Sequence, residues 1–271
     1  MVTNKEFQSN LKLSIQVSLD GLSFCIQDTT TKEFVFFKKL SFDRQLDPVK
    51  ILQKIDKEYE NEKALQQNVR EISLIFDNHL YTLVPIKLFN EEQASNYLKF
   101  NTRILKTDFI AHDAIHSAGA VCVYIPYANI INYFFDKYGE FEYKHSISVL
   151  LENLLKREKS NSTRVYLYNK SGNYDLVVIE EAKLIFCNSF QYETPEDFLY
   201  YLLFTAEQLK LDPEKLDLQI LGNISEESEL YQLAYNYIKN ISLSEQSTKN
   251  TFSKPEEKQQ AEAEFVLLNS F

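Results

Sequence analysis

Two α+β halves built on one plan are what the sequence predicts, an α+β to α/β architecture in which each half holds a mixed sheet flanked by helices. Three observations carry this. Runs of apolar–polar alternation come in threes, each trio precedes a helix that opens on a cap–proline pair, and another strand follows each helix. The second set begins about 150 residues after the first, so one supersecondary unit is used twice.

In the first half, LKLSIQVS (11–18) places Leu11, Leu13, Ile15 and Val17 on one face. LSFCIQD (22–28) follows, then a turn at TTTKE and the strand EFVFFKKL (33–40). DPVKILQKIDKEYENEKAL (47–65) reads as a helix with Asp47 as N-cap and Pro48 at the first helical position; Val49, Leu52, Ile55 and Tyr59 fall at helical spacing. VREISLIFD (69–77) returns to period two.

The second half repeats the order. TRVYLYN (163–169), YDLVVIEE (174–181) and KLIFCNSFQY (183–192) are strands, with SGN turning between the first two. TPEDFLYYLLFTAEQLKL (194–211) is a helix capped by Thr194, with Pro195 next and Glu196–Asp197 in its electropositive first turn. LDLQILGN (216–223) is a strand, and SEESELYQLAYNYIKN (225–240) a helix with Ser225 as its expected cap.

Between the copies, residues 78–116 interrupt the plan with a strand-like piece, a helix near 90–100 and a further extended run, which predicts a small appendage. AVCVYIP (120–126) reads as a buried strand, YANIINYFFDKYG as a helix, and HSISVLLENLLKRE (145–158) as another. The basic cluster KREKSNSTR (156–164) reads as a solvated linker. The polar stretch 244–263 reads as a mobile loop, centred on 246–262, while the apolar ending EFVLLNSF is expected to dock on the body. The expected division is therefore 10–140, with its insertion at 78–116, and 145–271.

Composition bounds the function. The chain has 271 residues, 44% of them hydrophobic, enough for two ordinary cores. Its 29 basic side chains against 39 acidic ones give a net charge of −10, which disfavours binding to a nucleic-acid backbone. Cys25, Cys122 and Cys187 sit far apart in apolar runs and read as buried thiols of a reducing compartment. No apolar run reaches the length of a membrane span and the first residues are polar, so the expected location is the cytoplasm.

The doubled β-β-β-α-β-α unit resembles the actin-like ATPase superfamily, in which two ribonuclease-H-like subdomains face each other across a nucleotide cleft. The join AVCVYIPYANIINYFF is similar to a connecting segment of that superfamily. More closely, LKLSIQVSLDGLSF, YTLVPIKLFNEEQASNYLKFN and LVVIEEAKLIFCNSFQYETPEDFLYYLLF resemble an uncharacterised bacterial family of unknown function with this fold, over residues 10–271.

The resemblance implies three nucleotide loops, and each departs from its pattern here. The first expects Asp-x-Gly-Ser/Thr, whose aspartate serves metal-bound phosphates; this chain has Asp20-Gly21-Leu22-Ser23, with the glycine displaced by one place. The second expects another aspartate and several glycines; the corresponding turn reads Asn169-Lys170-Ser171-Gly172-Asn173. The third expects paired glycines, and the chain offers Gly222 followed by Asn223. Together these changes remove a carboxylate and most of the backbone freedom needed for close phosphate approach. Asp20-Gly21 accordingly reads as a hairpin turn, for which Asp-Gly is a strong signal.

Elsewhere, HDAIH (112–116) places two histidines four apart, but its surroundings look extended, and four residues of strand separate Cα atoms by roughly 13 Å, too far for one ion. The 17 tyrosines and 20 phenylalanines read chiefly as core, with an aromatic helix face reserved for another chain as the functional alternative. The reading favours a non-catalytic protein with no cofactor or metal, acting through an unidentified protein partner as scaffold or assembly factor, with homo-oligomerisation open. The alternative is an atypical ATPase or phosphotransferase using ATP and magnesium.

Overall fold

The computed structural model describes residues 10–244 and 251–271, apart from 101, 103 and 106. Strands β1 (Leu11–Val17), β2 (Gly21–Asp28) and β3 (Phe34–Ser41) form an antiparallel meander. Helix α1 (Pro48–Asn61) starts where Asp47 accepts a hydrogen bond from the Lys50 N–H at 2.8 Å, with Pro48 at the first helical position. It returns the chain to β4 (Glu71–Phe76), which pairs parallel to β1 and sets Phe76 beside Val17.

The interruption holds β5 (Tyr81–Pro85), α2 (Ala94–Leu98) and β6 (Ala111–Ile115), and then β7 (Ala120–Tyr124). Next come α3 (Ala128–Tyr138), β8 (Glu142–His145) and α4 (Ser146–Arg157). The second half runs β9 (Arg164–Asn169), β10 (Asn173–Glu180), β11 (Lys183–Gln191), α5 (Pro195–Gln208), β12 (Asp217–Gly222), α6 (Glu229–Tyr235) and β13 (Asn240–Leu243). Two short helices, α7 (Pro255–Ala261) and α8 (Phe265–Leu268), end the chain.

Both large sheets have one strand order: β3-β2-β1-β4-β8 in the first and β11-β10-β9-β12-β13 in the second. The period-two pattern sorts the second sheet into two faces. Tyr166, Tyr168, Val177 and Ile179 join the main core with the first sheet and α4, while Val165, Leu167, Leu176 and Val178 pack under α5 and α6. Helix α4 runs through the middle, with Ile147, Leu150, Leu151 and Leu154 buried.

Several expectations shift. The helix expected over 225–240 begins at Glu229 under a Ser228 cap, because the Ser228 Oγ accepts from the Tyr231 N–H; the Ser225 carbonyl accepts from Ser228 in the preceding turn. Its last residue instead opens β13, and the fifth strands β8 and β13 are both four residues long, too short to show a period. The mobile loop expected near 246–262 falls partly outside the described residues; from Thr251 onward the chain is ordered against β3, and 255–261 is helical. Phe252, Ala261 and Phe265–Leu268 lie in the main core that the two large sheets share with α4, and the Phe265 ring also meets Tyr168 of β9.

The interruption also reaches further than 116. β5 and β6 flank β7 in a separate three-stranded sheet with its own small core of Val84, Leu98, Val121, Val123 and Ile125. Its ends meet where the Asn78 Nδ2 donates to the Ile125 carbonyl at 3.0 Å and the Ile125 N–H to that of Leu80. Replacing 80–124 with a short glycine–serine linker is expected to leave both large sheets folded and to lower the melting temperature by several degrees, since Tyr81, Ile115, Cys122 and Tyr124 leave the shared core. Excising 78–116 alone strips β7 of both neighbours and is expected to give insoluble protein. Circular-dichroism melts of the two variants check the contrast.

Candidate functional site: the cleft between the sheets

The β1–β2 and β9–β10 turns, the ends of β4 and β12, and the C-terminal arm converge on one cleft. It encloses a cavity of about 90 Å³, lined among others by Asp20, Gly21, Ser23, Asn169, Ser171 and Asn223. Of the eight residues the sequence singles out, these six line it; Gly172 and Gly222 do not, and both take a positive φ.

In the first turn, the Ser18 N–H donates to the Gly21 carbonyl at 3.0 Å and the Ser18 Oγ to the Asp20 carboxylate at 2.5 Å. Neither Asp20 nor Gly21 has a positive φ, so the hairpin is not the Asp-Gly turn the sequence suggests. Gly21 is already the first residue of β2, where an added Cβ would stand 2.9 Å from the Leu40 carbonyl. Close strand packing, not turn geometry, requires this glycine.

On the opposite side, Gly172 takes a φ of +72° in the β9–β10 turn. Asn169 is almost fully buried and its amide is spent: Nδ2 donates to the Asn223 carbonyl at 2.8 Å and Oδ1 accepts from the Tyr192 hydroxyl at 3.0 Å. The Asn223 N–H returns a bond to the Asn169 carbonyl at 3.1 Å. Gly222, at φ +92°, lies so close that an added Cβ would stand 2.0 Å from the same carbonyl. These residues tie the end of β9 to the end of β12.

The charged groups that govern the cleft lie outside the residues singled out from the sequence. The Lys170 Nζ lies 2.8 Å from the Asp77 Oδ1 and 3.0 Å from the Asp175 Oδ2, joining the second sheet to the end of β4 in the first. All three side chains are buried or nearly so. Burial pulls the Lys170 pKa down, but the carboxylates of Asp175 and Asp77 outweigh it and hold the ammonium above its ordinary value. Burial likewise opposes ionisation of Asp77, yet the Lys170 charge and the Ser146 hydroxyl, 2.9 Å away, keep its pKa low. Gln16 Nε2 adds a bond to Asp77 at 3.2 Å, and the Ser189 hydroxyl one to Asp175 at 2.5 Å. The available signals were Lys170 inside the quoted turn and a carboxylate, Asp175, within an apolar strand.

A second charge enters from the C-terminal arm. Glu264, 5% exposed, takes a bond from the Ser23 hydroxyl at 3.2 Å and pairs with Lys39 at 2.6 Å. Beneath Asp77, the wholly buried His145 caps α4: its Nδ1 accepts from the Ile147 N–H at 3.2 Å, so Nε2 carries the proton and donates to the Asn78 carbonyl at 3.1 Å. Burial pulls the His145 pKa from 6.5 to about 3, against the attraction of Asp77.

The paired histidines of the sequence lie away from the cleft. His112 is exposed on β6 and His116 exposed in the turn after it, and among the described residues no cluster of three His, Cys, Asp or Glu side chains is placed to hold a metal. Among the described residues no helix is long and apolar enough to cross a membrane. Of the three cysteines, expected buried, Cys25 and Cys122 are so and Cys187 is half-buried.

Two five-stranded sheets of one topology, meeting at a cleft built from their first hairpins, define an actin-like ATPase fold. The similarity extends across the chain to a Bacteroides thetaiotaomicron VPI-5482 protein described as having an actin-like ATPase fold and unknown function: 20% identity, TM-score 0.76, covering 97% of this chain and 98% of that one. A PilM–PilN type IV pilus biogenesis complex contains a chain 11% identical at a TM-score of 0.59 (95% and 96% covered), and the ethanolamine utilization protein EutJ of Carboxydothermus hydrogenoformans is 10% identical at 0.51 (96% and 88%). No curated protein matches the chain. Residues 3–241 match the profile of DUF3822, a family described as proteins of unknown function, and the chain belongs to that family.

Replacing Lys170 by methionine leaves Asp77 and Asp175 buried without their cation, and is expected to cost ~3–5 kcal/mol of stability in urea denaturation. For His145, the folded state binds its proton less tightly than the unfolded chain, so its contribution is present above pH 6.5 and is lost as pH falls towards 3, with a slope of ~1.4 kcal/mol per pH unit. His145→Asn keeps a capping side chain without that titration. Its stability–pH profile should be flatter than that of the wild type in this window; parallel profiles would contradict the assignment.

Proposed function

We propose that this protein is a non-catalytic actin-fold module that acts through protein–protein interaction, as a scaffold or assembly factor. The observation that carries the reading is the Lys170 ammonium seated between Asp77 and Asp175 in the cleft. Phosphoryl transfer depends on carboxylates free to organise a metal and on backbone amides brought close to phosphate oxygens. Here the two buried carboxylates are neutralised by a side chain of the same molecule. The loop amide of Asn169 is committed to neighbours, and the Glu264 side chain, paired with Lys39, occupies the cleft from the C-terminal arm.

The volume argues the same way. Sites for small ligands commonly enclose roughly 300–1,000 Å³, against about 90 Å³ in this cleft. Magnesium–ATP does not fit the residues as they are arranged; admitting it requires the Lys170 bridge to break and Glu264 to withdraw. A protein-binding role is also compatible with the structural likeness to PilM, a protein whose structure was determined in complex with PilN.

The test is calorimetry with ATP and magnesium on the wild type and on Asp20→Ala. No binding heat is expected from either. Micromolar binding by the wild type that disappears in the variant would replace this reading with an atypical ATPase or phosphotransferase using Asp20.

A further inference from the structure

The net charge is distributed unevenly. Between Glu193 and Lys239 the chain carries ten carboxylates against three lysines, a net −7 out of the −10 of the whole molecule. Three of these acids are paired, Asp212 with Lys215, Glu214 with Lys239 and Asp217 with Arg164. Glu196, Glu207, Glu226, Glu227 and Glu229 have no ion-pair partner among the described residues and lie exposed.

The same region exposes rings. On α5, Glu196, Tyr200, Phe204 and Glu207 follow one another at steps of four, four and three, a single stripe along the outer side of the helix. Tyr200 is 59% and Phe204 45% exposed, and their rings stack 5.7 Å apart. On the neighbouring α6, Tyr235 is exposed and stacks on Tyr231, and Tyr237 is exposed just beyond the helix. Isolated exposed rings are ordinary, but three on two adjoining helices and a fourth just beyond α6, in a stretch rich in unpaired carboxylates, give this face a defined chemistry. Aromatic faces attract guanidinium and ammonium groups, and the flanking carboxylates pair with the same groups.

We propose that the α5–α6 face docks a basic segment of a protein partner, with Arg or Lys side chains lying over Tyr200 and Phe204 and pairing with Glu196 and Glu207. This rests on the protein-interaction reading above and gives that partner its chemistry. The probe is a synthetic peptide alternating Arg-Leu with Lys-Ala, titrated onto the full chain by fluorescence anisotropy, beside a control peptide in which Glu replaces every Arg and Lys.

The basic peptide is expected to bind and the acidic control not to, with affinity falling steeply as salt rises. Tyr200→Ala with Phe204→Ala should weaken binding about tenfold, and Glu196→Gln with Glu207→Gln should weaken it and flatten the salt dependence. Val49→Ala with Leu88→Ala, exposed positions of the first half, should leave it unchanged. Equal binding by all variants would mean diffuse attraction to an acidic chain and would overturn the proposal. So would absence of binding, or self-association that the Tyr200/Phe204 variant abolishes, which would make the occupant a second copy. If the peptide fails while ATP gives no heat, only this surface is lost; ATP binding would remove the underlying reading itself.

Discussion

The contact on which the arrangement of this molecule turns is the ion triad of Lys170 with Asp77 and Asp175. Asp77 ends the central parallel strand of the first sheet, while Lys170 and Asp175 belong to the first hairpin of the second. Charges so placed are unfavourable singly in a low-dielectric interior and stable only together. The triad therefore acts as a condition on assembly: the sheets must meet in one relative position, or three buried charges stand unsatisfied. From Asp77 the polar contacts continue through Ser146 at the start of α4, and the neighbouring His145 gives its backbone N–H to Asp113 of the small third sheet at 2.8 Å. One chain of hydrogen bonds thus registers all three sheets against α4.

The C-terminal arm completes the first sheet. β3 is an edge strand, and an uncovered edge is a template for unwanted pairing. The Phe34 N–H donates to the Thr251 carbonyl at 2.8 Å, the Ser253 N–H returns to the Phe34 carbonyl at 3.0 Å, and the Phe37 N–H reaches the Glu257 carboxylate at 2.9 Å. The Phe34 ring is enclosed by Phe252 and Phe271. The same arm sets Glu264 into the cleft, so protection of an edge and occupation of the cleft follow from one packing event. The cleft is thus lined by both sheets and by the C-terminal arm together.

Much was already present in the sequence. The alternation in 11–40 and 163–192, the Asp47–Pro48 and Thr194–Pro195 helix starts, and the duplicated order are local signals, and the structure realises them as two sheets of one strand order; at Thr194 the cap is a full reciprocal box with Asp197. Asp20, Gly21, Ser23, Asn169, Ser171 and Asn223, singled out from two separate turns and a strand end, line one cavity, because turns that end equivalent strands of a duplicated fold must lie at the same end of their sheets. What the sequence determined by itself was therefore periodicity, capping and order, all of which act within a few residues. Only the tertiary structure decided that β7 joins β5 and β6, that four-residue β8 and β13 complete the sheets, that Lys170 meets a carboxylate 93 residues away, and that Glu264 reaches Ser23 across 241. Those outcomes depend on which charges and which strand edges the folded chain brings within a few ångströms, and at that range Coulomb attraction and edge pairing are set by position in space, with no trace in local spacing.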